Sequence, residues 1–270
     1  MQAYNLSHKR LIILDYDGTL VGFKDRPEDA SPTQELICLL TTLTEDPCNH
    51  VVINSGRDHL TLEKWLGKIP LSFAAEHGAF YKENGAWHKN INETTWSEGI
   101  LSILRLFVNK TPKSRLEYKN TSLVWHYREV DNWLGELRSK QLVNSLVDIC
   151  IKQRLQIMQG NKVVEIKHAD CTKGTEINRL LQDERYDFIL AMGDDVTDED
   201  MFTALPYSSY TIKVGNVSDN ARFNILSQTE VLPFLSSLAT YKCNEHNNTP
   251  FNLNVRIKSV LNKIRRIVDK

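Results

Sequence analysis

The sequence has no long apolar run at its start and no excess of charge of one sign. Its first hydrophobic stretch, Leu11 to Leu14, is far shorter than the roughly 20 apolar residues that span a membrane, so neither a signal peptide nor a membrane span is expected. Lys and Arg number 33 against 34 Asp and Glu. This balance gives no reason to expect a nucleic acid or an anionic membrane as the main partner.

Cysteine, glycine and proline are sparse as well. The five cysteines are scattered, odd in number and form no Cys-x-x-Cys pair, which favours a reduced, cytoplasmic protein over a disulfide scaffold. With 12 Gly and 8 Pro among 270 residues, of which 41% are hydrophobic, the composition excludes fibrous and disordered classes. The length allows one large domain or two ordinary ones.

Three short apolar runs each end in a polar loop. Leu11 to Leu14 precedes Asp-Tyr-Asp-Gly, Val51 to Ile53 precedes Asn-Ser-Gly, and Phe188 to Met192 precedes Gly-Asp-Asp. Such runs are typical of buried parallel strands. Helical patterns between them cover Thr33 to Thr44, with Ser31 as the cap and Pro32 in the first position, Asp58 to Leu66, and Lys173 to Leu181. The alternation predicts an α/β fold with a Rossmann-like parallel-sheet core, and a ligand site where the strands end.

The middle of the chain has a different pattern, in which helix, strand, strand occurs twice. We predict an α+β domain of the order αββαββ, inserted as residues 91–167 between two core segments, 1–90 and 168–240. Residues 241–270 form a basic tail with the pattern of an amphipathic helix, for which docking on the core is favoured over binding a partner. The predicted elements of the insertion are Trp96 to Asn109, Arg115 to Tyr118, Leu123 to Tyr127, Asn132 to Lys152, Leu155 to Met158 and Lys162 to Lys167.

Asp15 and Asp17 directly follow the first predicted strand. Carboxylates at i and i+2 point the same way in extended backbone, and such closely spaced like charges are costly unless a cation or proton lies between them. A carboxylate nucleophile beside a carboxylic general acid would use this pair. The alternative is a turn that merely favours Asp residues.

Two further segments suit a phosphate group. The Ser55 hydroxyl follows the second strand, and Lys173 stands at the start of a predicted helix, where backbone amides also attract anions. Either alone is a common loop feature.

In the third segment, Asp194, Asp195 and Asp198 lie too close for helix capping to explain them all, and Mg²⁺ is the natural counter-ion because it takes hard oxygen ligands. The sequence has no His or Cys cluster that suggests zinc.

Taken together, these segments resemble the motifs of the haloacid dehalogenase-like superfamily in their proper order, with a C2B-type cap as the insertion. Within that superfamily the chain is similar to the trehalose-6-phosphate phosphatases and to the phosphatase half of bifunctional trehalose synthase/phosphatase proteins. The segments that carry this resemblance are Leu14-Asp-Tyr-Asp-Gly-Thr-Leu20, Asn54-Ser-Gly-Arg-Asp58, Ala75-Glu-His-Gly-Ala79, Ser122-Leu-Val-Trp-His-Tyr-Arg128 and Gly193-Asp-Asp-Val-Thr-Asp-Glu-Asp-Met-Phe202.

The resemblance implies a function and a set of site residues. It implies Mg²⁺-dependent hydrolysis of trehalose 6-phosphate through an aspartyl phosphate, and a trehalose-phosphate synthase as a partner or as a neighbouring domain. Asp15 would be the nucleophile and Asp17 the acid/base, with Ser55 and Lys173 at the phosphate. The metal set is Asp15, Asp17 through its carbonyl, Asp194, Asp195 and Asp198, the last behind the direct ligands. The substrate set is Gly56, Arg57, Glu76, His77, Gly78, Glu117, Lys119, Arg128, Lys162 and Glu165.

Several alternatives stay open on the sequence alone. Another sugar phosphate, such as sucrose phosphate or mannosylglycerate phosphate, would satisfy the same motifs. A non-catalytic module that binds a sugar phosphate is a second class, disfavoured because the motif acids and Lys173 are present. By residue type alone, Glu117, Lys119 and Arg128 would be surface ion pairs. Trp125 and Trp133 are predicted to be core residues rather than sugar platforms.

Overall fold

The computed structural model describes residues 2–24, 26–90, 95–119, 121–182 and 184–239. Internal contacts divide the chain into two compact units, one made of the residues up to His88 and from Thr172 onward, the other of Lys89–Cys171. The insertion drawn from the sequence, 91–167, differs from the second unit by a few residues at each end. The predicted helix in 241–270 lies outside the described residues.

The first unit is built on an eight-stranded sheet of order β12-β11-β10-β1-β2-β3-β4-β5. Six neighbouring strands, from β12 to β3, run parallel, and β4 pairs antiparallel with β3. The predicted parallel-sheet core is confirmed. The strands are β1 (Arg10–Leu14), β2 (Asn49–Asn54), β3 (Ser72–Ala75), β4 (Phe80–Glu83), β5 (Ala86–Lys89), β10 (Phe188–Gly193), β11 (Tyr210–Val214) and β12 (Phe223–Ile225); the helices are α1 (Gln2–Leu6), α2 (Gln34–Glu45), α3 (His59–Leu66), α6 (Lys173–Gln182), α7 (Thr197–Ala204) and α8 (Val231–Ala239).

The parallel sheet is covered on both faces. Every residue of β1 is buried. Ile12 and Leu14 pack into one apolar cluster, whereas Leu11 and Ile13 pack into another on the opposite face. This alternation follows from the two-residue period of a strand and explains why central strands are continuously apolar.

Helix starts in this unit follow capping chemistry, with one correction to the sequence analysis. Helix α3 begins after Asp58, whose carboxylate accepts from Thr61 N at 2.9 Å. Helix α2 begins after Thr33, whose hydroxyl accepts from Leu36 N at 3.2 Å. The prediction of Ser31 as the cap is therefore wrong, because it is the Thr33 hydroxyl that accepts a hydrogen bond from an unpaired backbone N–H of the first turn.

The second unit has the predicted order αββαββ. Its sheet has the antiparallel order β6-β7-β9-β8, and one face packs on the two helices through a core that includes Trp125 and Leu142. Trp133 is 74% exposed in the first turn of α5, so its prediction as a core residue is wrong. No helix in the described part of the chain is long and apolar enough to cross a membrane. The elements are α4 (Glu98–Lys110), β6 (Arg115–Tyr118), β7 (Ser122–His126), α5 (Asn132–Lys152), β8 (Leu155–Gly160) and β9 (Val163–His168).

Candidate active site

Asp15 lies at the carboxyl edge of the parallel sheet, one residue beyond β1. Its backbone N–H donates to the Met192 carbonyl of β10 at 3.0 Å, which ties the end of β1 to the neighbouring strand. Because β1 lies between β10 and β2, the residues that follow these strands, Asp194 and Ser55, collect at the same edge. The sheet order thus brings together three widely separated segments.

The Lys173 ammonium joins two of the acids. Its Nζ lies 2.6 Å from Asp15 Oδ1 and 2.8 Å from Asp198 Oδ1. The side chains of Lys173, Asp15 and Asp198 are only 3%, 6% and 0% exposed. Buried charges are tolerated when they are paired and hydrogen-bonded, so these three groups form one electrostatic unit.

Asp194 completes an acidic cluster. One carboxylate oxygen from each of Asp15, Asp194 and Asp198 lies within 4.8 Å of the other two. The Thr19 hydroxyl donates to Asp194 Oδ1 at 3.3 Å. Gly18 has a φ of +87°, and a Cβ there would lie 2.2 Å from Asp194 Oδ2. Only glycine fits that position without displacing the acid.

Burial and mutual repulsion raise the pKa values of all three acids. Burial raises the pKa of Asp15 to about 7, although the Lys173 ammonium counters part of the rise. Burial likewise raises the pKa of Asp198 to about 7, and burial with the charges of Asp198 and Asp195 raises that of Asp194 to about 6. For Lys173, burial lowers the pKa, but the neighbouring acids more than offset this and the net pKa lies above its usual value. The cluster therefore holds more negative charge than one ammonium compensates.

The cluster fits a hard divalent cation such as Mg²⁺. Its donors are carboxylate oxygens, and the raised pKa values show that a further positive charge would be stabilised there. Asp198 is less suited to direct ligation, because Oδ1 accepts from Lys173 and Oδ2 accepts from Asp195 N at 3.0 Å. Asp15 and Asp194 are the side chains best placed to hold the ion.

The Asp195 carboxylate, also predicted as a metal ligand, is not one of the three grouped acids and is bonded within its own loop. Its Oδ1 accepts from both the backbone N–H and the hydroxyl of Thr197, the latter at 2.8 Å. The Asp195 carbonyl accepts from the Lys213 ammonium, which also lies 2.8 Å from Glu199 Oε1. Asp195 therefore shapes the loop between β10 and α7, and the structure does not bring it into the metal set.

The Asp17 side chain pairs with Arg57. Asp17 Oδ1 accepts from Arg57 Nη2 at 2.6 Å, and the Asp17 side chain is 32% exposed. The Asp17 side chain is thus engaged outside the acidic cluster, which leaves only its carbonyl for the predicted metal role. Arg57 was expected to bind substrate directly; the structure places its guanidinium on the acid two residues beyond Asp15.

Ser55 and Gly56 form the loop after β2. Ser55 is buried, its hydroxyl accepts from Arg57 N at 3.2 Å, and its carbonyl accepts from His77 N at 3.1 Å. A Cβ on Gly56 would lie 2.7 Å from the His77 ring. Gly56 therefore lets the imidazole pack directly on the loop beside Ser55.

The segment Glu76–Gly78 has an unusual backbone. Its φ values are +51°, +57° and +90°, a left-handed run that non-glycine residues rarely adopt. Glu76 N donates to the Arg57 carbonyl at 2.9 Å, and Glu76 Oε1 lies 3.2 Å from His59 Nδ1. These bonds fasten the segment to the Ser55 loop, so the predicted residues 76–78 do lie beside the predicted phosphate-binding loop.

In the second unit, the sheet face opposite the helices carries polar side chains. Glu117 and Glu165 both stand opposite Val124, on β6 and β9, and so lie on the same face. Lys119 Nζ lies 3.8 Å from Glu165 Oε1. The structure thus brings together three of the five predicted sugar ligands of this unit.

The other two predicted sugar ligands lie elsewhere in the unit. Lys162 Nζ lies 2.7 Å from Glu136 Oε1 on α5 and 5.7 Å from the centre of the Tyr127 ring. Arg128 is exposed and donates to the Asn161 carbonyl at 3.4 Å. These contacts join Arg128 to the turn between β8 and β9, and Lys162 to α5.

Four polar residues that the sequence analysis missed orient the predicted ones. His126 Nε2 lies 2.6 Å from Glu117 Oε2, and the Ser122 hydroxyl donates to Glu165 Oε1 at 2.6 Å. Strand register was the available signal, since His126 is two residues from Val124 and shares its face. Thr19 and Lys213 hold the acidic loops, as described above; Lys213 carried no signal because β11 was not predicted.

Comparison with known proteins gives consistent similarities. A sequence profile of the family described as Trehalose-phosphatase matches residues 13–227. A Dictyostelium discoideum protein named alpha,alpha-trehalose-phosphate synthase [UDP-forming] B is 40% identical over 245 residues, which cover 88% of this chain and 31% of that protein. A Zygosaccharomyces rouxii trehalose-phosphatase is 39% identical over 230 residues, covering 76% of this chain and 26% of its own length. The chain spans about a third or less of these relatives.

A solved structure agrees with the sequence matches. The C-terminal domain of Candida albicans trehalose-6-phosphate phosphatase is 32% identical, with a TM-score of 0.81 over 88% of this chain and 94% of that one. An Aspergillus fumigatus trehalose-6-phosphate phosphatase is also 32% identical, with a TM-score of 0.65 over 88% and 95%. The residues matched by the family profile, 13–227, include the acidic cluster.

Proposed function

The chain belongs to the trehalose-phosphatase family, and from this we propose that it hydrolyses trehalose 6-phosphate to trehalose and phosphate through a phosphorylated Asp15. The observation that carries the proposal is the contact of Lys173 with both Asp15 and Asp198 beside Asp194. A nucleophilic carboxylate must approach an anionic phosphate, and Lys173 supplies part of the positive charge that the approach needs, the proposed Mg²⁺ supplying the rest.

In the first half-reaction, Asp15 attacks the phosphorus atom and the bond from phosphorus to the sugar oxygen breaks. Lys173 is bonded to Asp15 Oδ1, which supports Oδ2 as the attacking atom. Asp17 donates a proton to the leaving sugar oxygen, because an alkoxide is a poor leaving group unless it is protonated. The products of this step are the free sugar and the aspartyl phosphate.

In the second half-reaction, the same residues work in reverse. Asp17, now ionised, takes a proton from a water molecule, and the resulting hydroxide attacks the phosphorus atom. The acyl phosphate bond breaks, which regenerates the Asp15 carboxylate and releases phosphate. The Ser55 hydroxyl accepts from Arg57 N and keeps its own proton, which it would donate to a phosphoryl oxygen at the same sheet edge.

We propose Mg²⁺ as the cofactor, held by Asp15, Asp194 and the Asp17 carbonyl. When bound, the ion neutralises charge on the phosphate and on the acids around it. The three raised pKa values support this assignment, because they arise from burial and from the repulsion between neighbouring acids, and a bound cation would offset both. Asp198 would act behind the ligands by fixing Lys173.

For the sugar, we propose recognition by Glu117, Lys119 and Glu165 on the polar face of the second unit's sheet. Alternating acids and a base match the hydroxyls of a disaccharide, which both donate and accept hydrogen bonds. Two longer relatives, one named as a trehalose-phosphate synthase and one as a bifunctional trehalose-6-phosphate synthase/phosphatase, support a synthase as a partner or as a neighbouring domain. The scattered cysteines of the sequence support a reducing, cytoplasmic setting.

The test is phosphate release from a panel of sugar phosphates with and without Mg²⁺. We expect trehalose 6-phosphate to be the best substrate and chelation to abolish turnover. Preference for sucrose phosphate or mannosylglycerate phosphate would contradict the proposed substrate, whereas the proposed mechanism of phosphate transfer would stand. Asp15→Asn should remove turnover and preserve the fold by circular dichroism; an active Asp15→Asn variant would overturn the nucleophile. Tight binding without turnover by the parent would identify a regulatory module.

A further inference from the structure

We propose that Arg57 is a positioning residue that holds the Asp17 carboxylate in its working orientation and makes no contact with the substrate. This inference rests on the proposed function, in which Asp17 is the acid/base. It differs from the role that the sequence resemblance implies for Arg57, which is direct binding of the substrate. The two roles predict different kinetics, so they can be separated.

Several contacts fix the Arg57 guanidinium before it reaches Asp17. Its Nη1 donates to the Pro27 carbonyl at 2.9 Å, and its Cζ lies 4.6 Å from the centre of the Trp65 ring and 5.4 Å from that of Tyr16. The side chain is 11% exposed. A planar cation that stacks on two rings and donates to a carbonyl has little rotamer freedom left.

The backbone of Arg57 is fixed as well. Its N–H donates to the Ser55 hydroxyl at 3.2 Å, and its carbonyl accepts from Glu76 N at 2.9 Å. Arg57 is therefore rigid at both ends, and its bond of 2.6 Å to Asp17 Oδ1 connects a fixed donor to the more exposed partner of the pair. Arg57 therefore restricts the orientation of the Asp17 carboxylate, and not the reverse.

A fixed guanidinium on Oδ1 selects one orientation of the Asp17 carboxyl group and leaves Oδ2 to exchange the proton. An acid/base must lie within hydrogen-bonding reach of the atom it protonates, and a misplacement of about 1 Å costs on the order of 100-fold in rate. Without Arg57, the Asp17 side chain would sample other rotamers. The protonation of the leaving group would then become slow, whereas the binding of the phosphate would be unaffected.

The experiment compares two leaving groups in the parent and in Arg57→Gln, with Mg²⁺ present. The probes are trehalose 6-phosphate, whose alkoxide needs a proton, and p-nitrophenyl phosphate, whose phenolate leaves without one. We expect kcat for the sugar phosphate to fall about 10- to 100-fold, a much smaller change in the single-turnover release of p-nitrophenol, and unchanged KM values and inhibition by inorganic phosphate. Arg57→Lys should recover part of the lost kcat.

A double-mutant cycle provides the decisive readout. In an Asp17→Asn background, Arg57→Gln should cause no further loss, because the group it positions is already gone. An equal loss for both leaving groups, with raised KM and weaker phosphate inhibition, would overturn the proposal in favour of substrate binding. Additive losses in the cycle would also overturn it. A parent that hydrolyses neither probe would instead refute the proposed function.

Arg222→Gln is the matched control. Arg222 also donates to backbone carbonyls, those of Tyr207 and Ser209, and its Cζ lies 5.4 Å from the centre of the Phe223 ring, but it lies at β12 rather than at the acids. Its loss should lower the melting temperature and leave the ratio of the two kcat values unchanged. If Arg222→Gln changes that ratio as much as Arg57→Gln does, the effect is one of general stability and the positioning role is wrong.

Discussion

Asp15 and Lys173 are 158 positions apart in the chain, yet Asp15 Oδ1 and Lys173 Nζ are 2.6 Å apart in a site that excludes almost all solvent. Such a contact is expensive to build, because both ions lose their hydration. The apolar core on each face of the parallel sheet offsets this desolvation cost. The pair is therefore better explained by chemistry than by stability.

Replacement of Lys173 tests this explanation. We expect Lys173→Met to reduce kcat by about 10²–10³-fold, as loss of a preorganised charge at a transition state does. At pH 8, where the acids are ionised, the free energy of unfolding should also fall by about 3 kcal/mol, because two buried acids lose their counter-ion. Steady-state kinetics and urea denaturation measure the two effects.

The control for this variant is Lys9→Met. Lys9 pairs with Glu184 at 3.2 Å, but the two side chains are 49% and 46% exposed. Exposed pairs contribute less than about 1 kcal/mol. A Lys173→Met variant that is no less stable and no less active than Lys9→Met would show that the buried contact has neither role.

The two neighbouring acids of the β10–α7 loop should respond differently to amidation. We expect Asp194→Asn to weaken Mg²⁺ binding by at least about 10-fold, since it removes a negative charge and replaces one carboxylate oxygen by an amide nitrogen. Asp195→Asn should leave Mg²⁺ affinity within a few-fold and stability nearly unchanged, because the asparagine Oδ1 can accept the same two hydrogen bonds from Thr197. Isothermal titration calorimetry measures the Mg²⁺ affinity of the two variants. Equal losses of affinity would show that Asp195 is also a metal ligand.

Much of the first unit could be predicted because its signals are local. Apolar runs that end in Asp or Ser identify parallel strands and their carboxyl edge, and the carboxyl edge is where ligands collect. That reasoning was sufficient to expect Asp15, Lys173 and Asp194 in one place, as the structure has them. Strands β3 to β5 and β12 were not predicted, because they are short and lack such endings; β11 is as long as β1 but is not followed directly by Asp or Ser.

The failures share a different physical cause. Whether Trp133 faces the core or solvent depends on which side of α5 the sheet packs, and sequence periodicity does not define this for a residue in the first turn. The orientation of Asp195 depends on a hydroxyl two residues later, and that of Arg57 on two aromatic rings. Side-chain direction is set by tertiary contacts that no local pattern reports.

The pairing of His126 with Glu117 should affect sugar binding rather than phosphoryl transfer. A hydrogen bond from His126 lowers the pKa of Glu117 and fixes its carboxylate on the polar face. We expect His126→Phe to raise KM for trehalose 6-phosphate about 10-fold, in line with the loss of a charge-assisted hydrogen bond, with a far smaller effect on p-nitrophenyl phosphate. His126→Gln, which keeps a hydrogen-bond donor, should have a KM for trehalose 6-phosphate between that of the parent and that of His126→Phe. An equal effect on both substrates would contradict this role.

The stability of the protein without metal should decrease as pH rises through the range in which the acidic cluster ionises. Folding raises the pKa values of Asp15, Asp194 and Asp198 from 3.8 to about 7, 6 and 7. Between pH 4 and pH 7 the folded state therefore binds more protons than the unfolded state, so protons stabilise it there and this stabilisation is lost as the pH approaches and passes 7.

Magnesium should replace the lost protons. Because the ion competes with protons for the same oxygens, a fixed Mg²⁺ concentration should raise the melting temperature little at pH 5.5 and clearly at pH 8. At a hundredfold excess over Kd the gain is about 2.7 kcal/mol. Differential scanning fluorimetry with and without Mg²⁺ measures the difference, and Asp194→Asn should clearly reduce the gain at pH 8 while stabilising the metal-free protein. A Mg²⁺-induced shift that is equal at both pH values would mean that the ion binds somewhere other than this cluster.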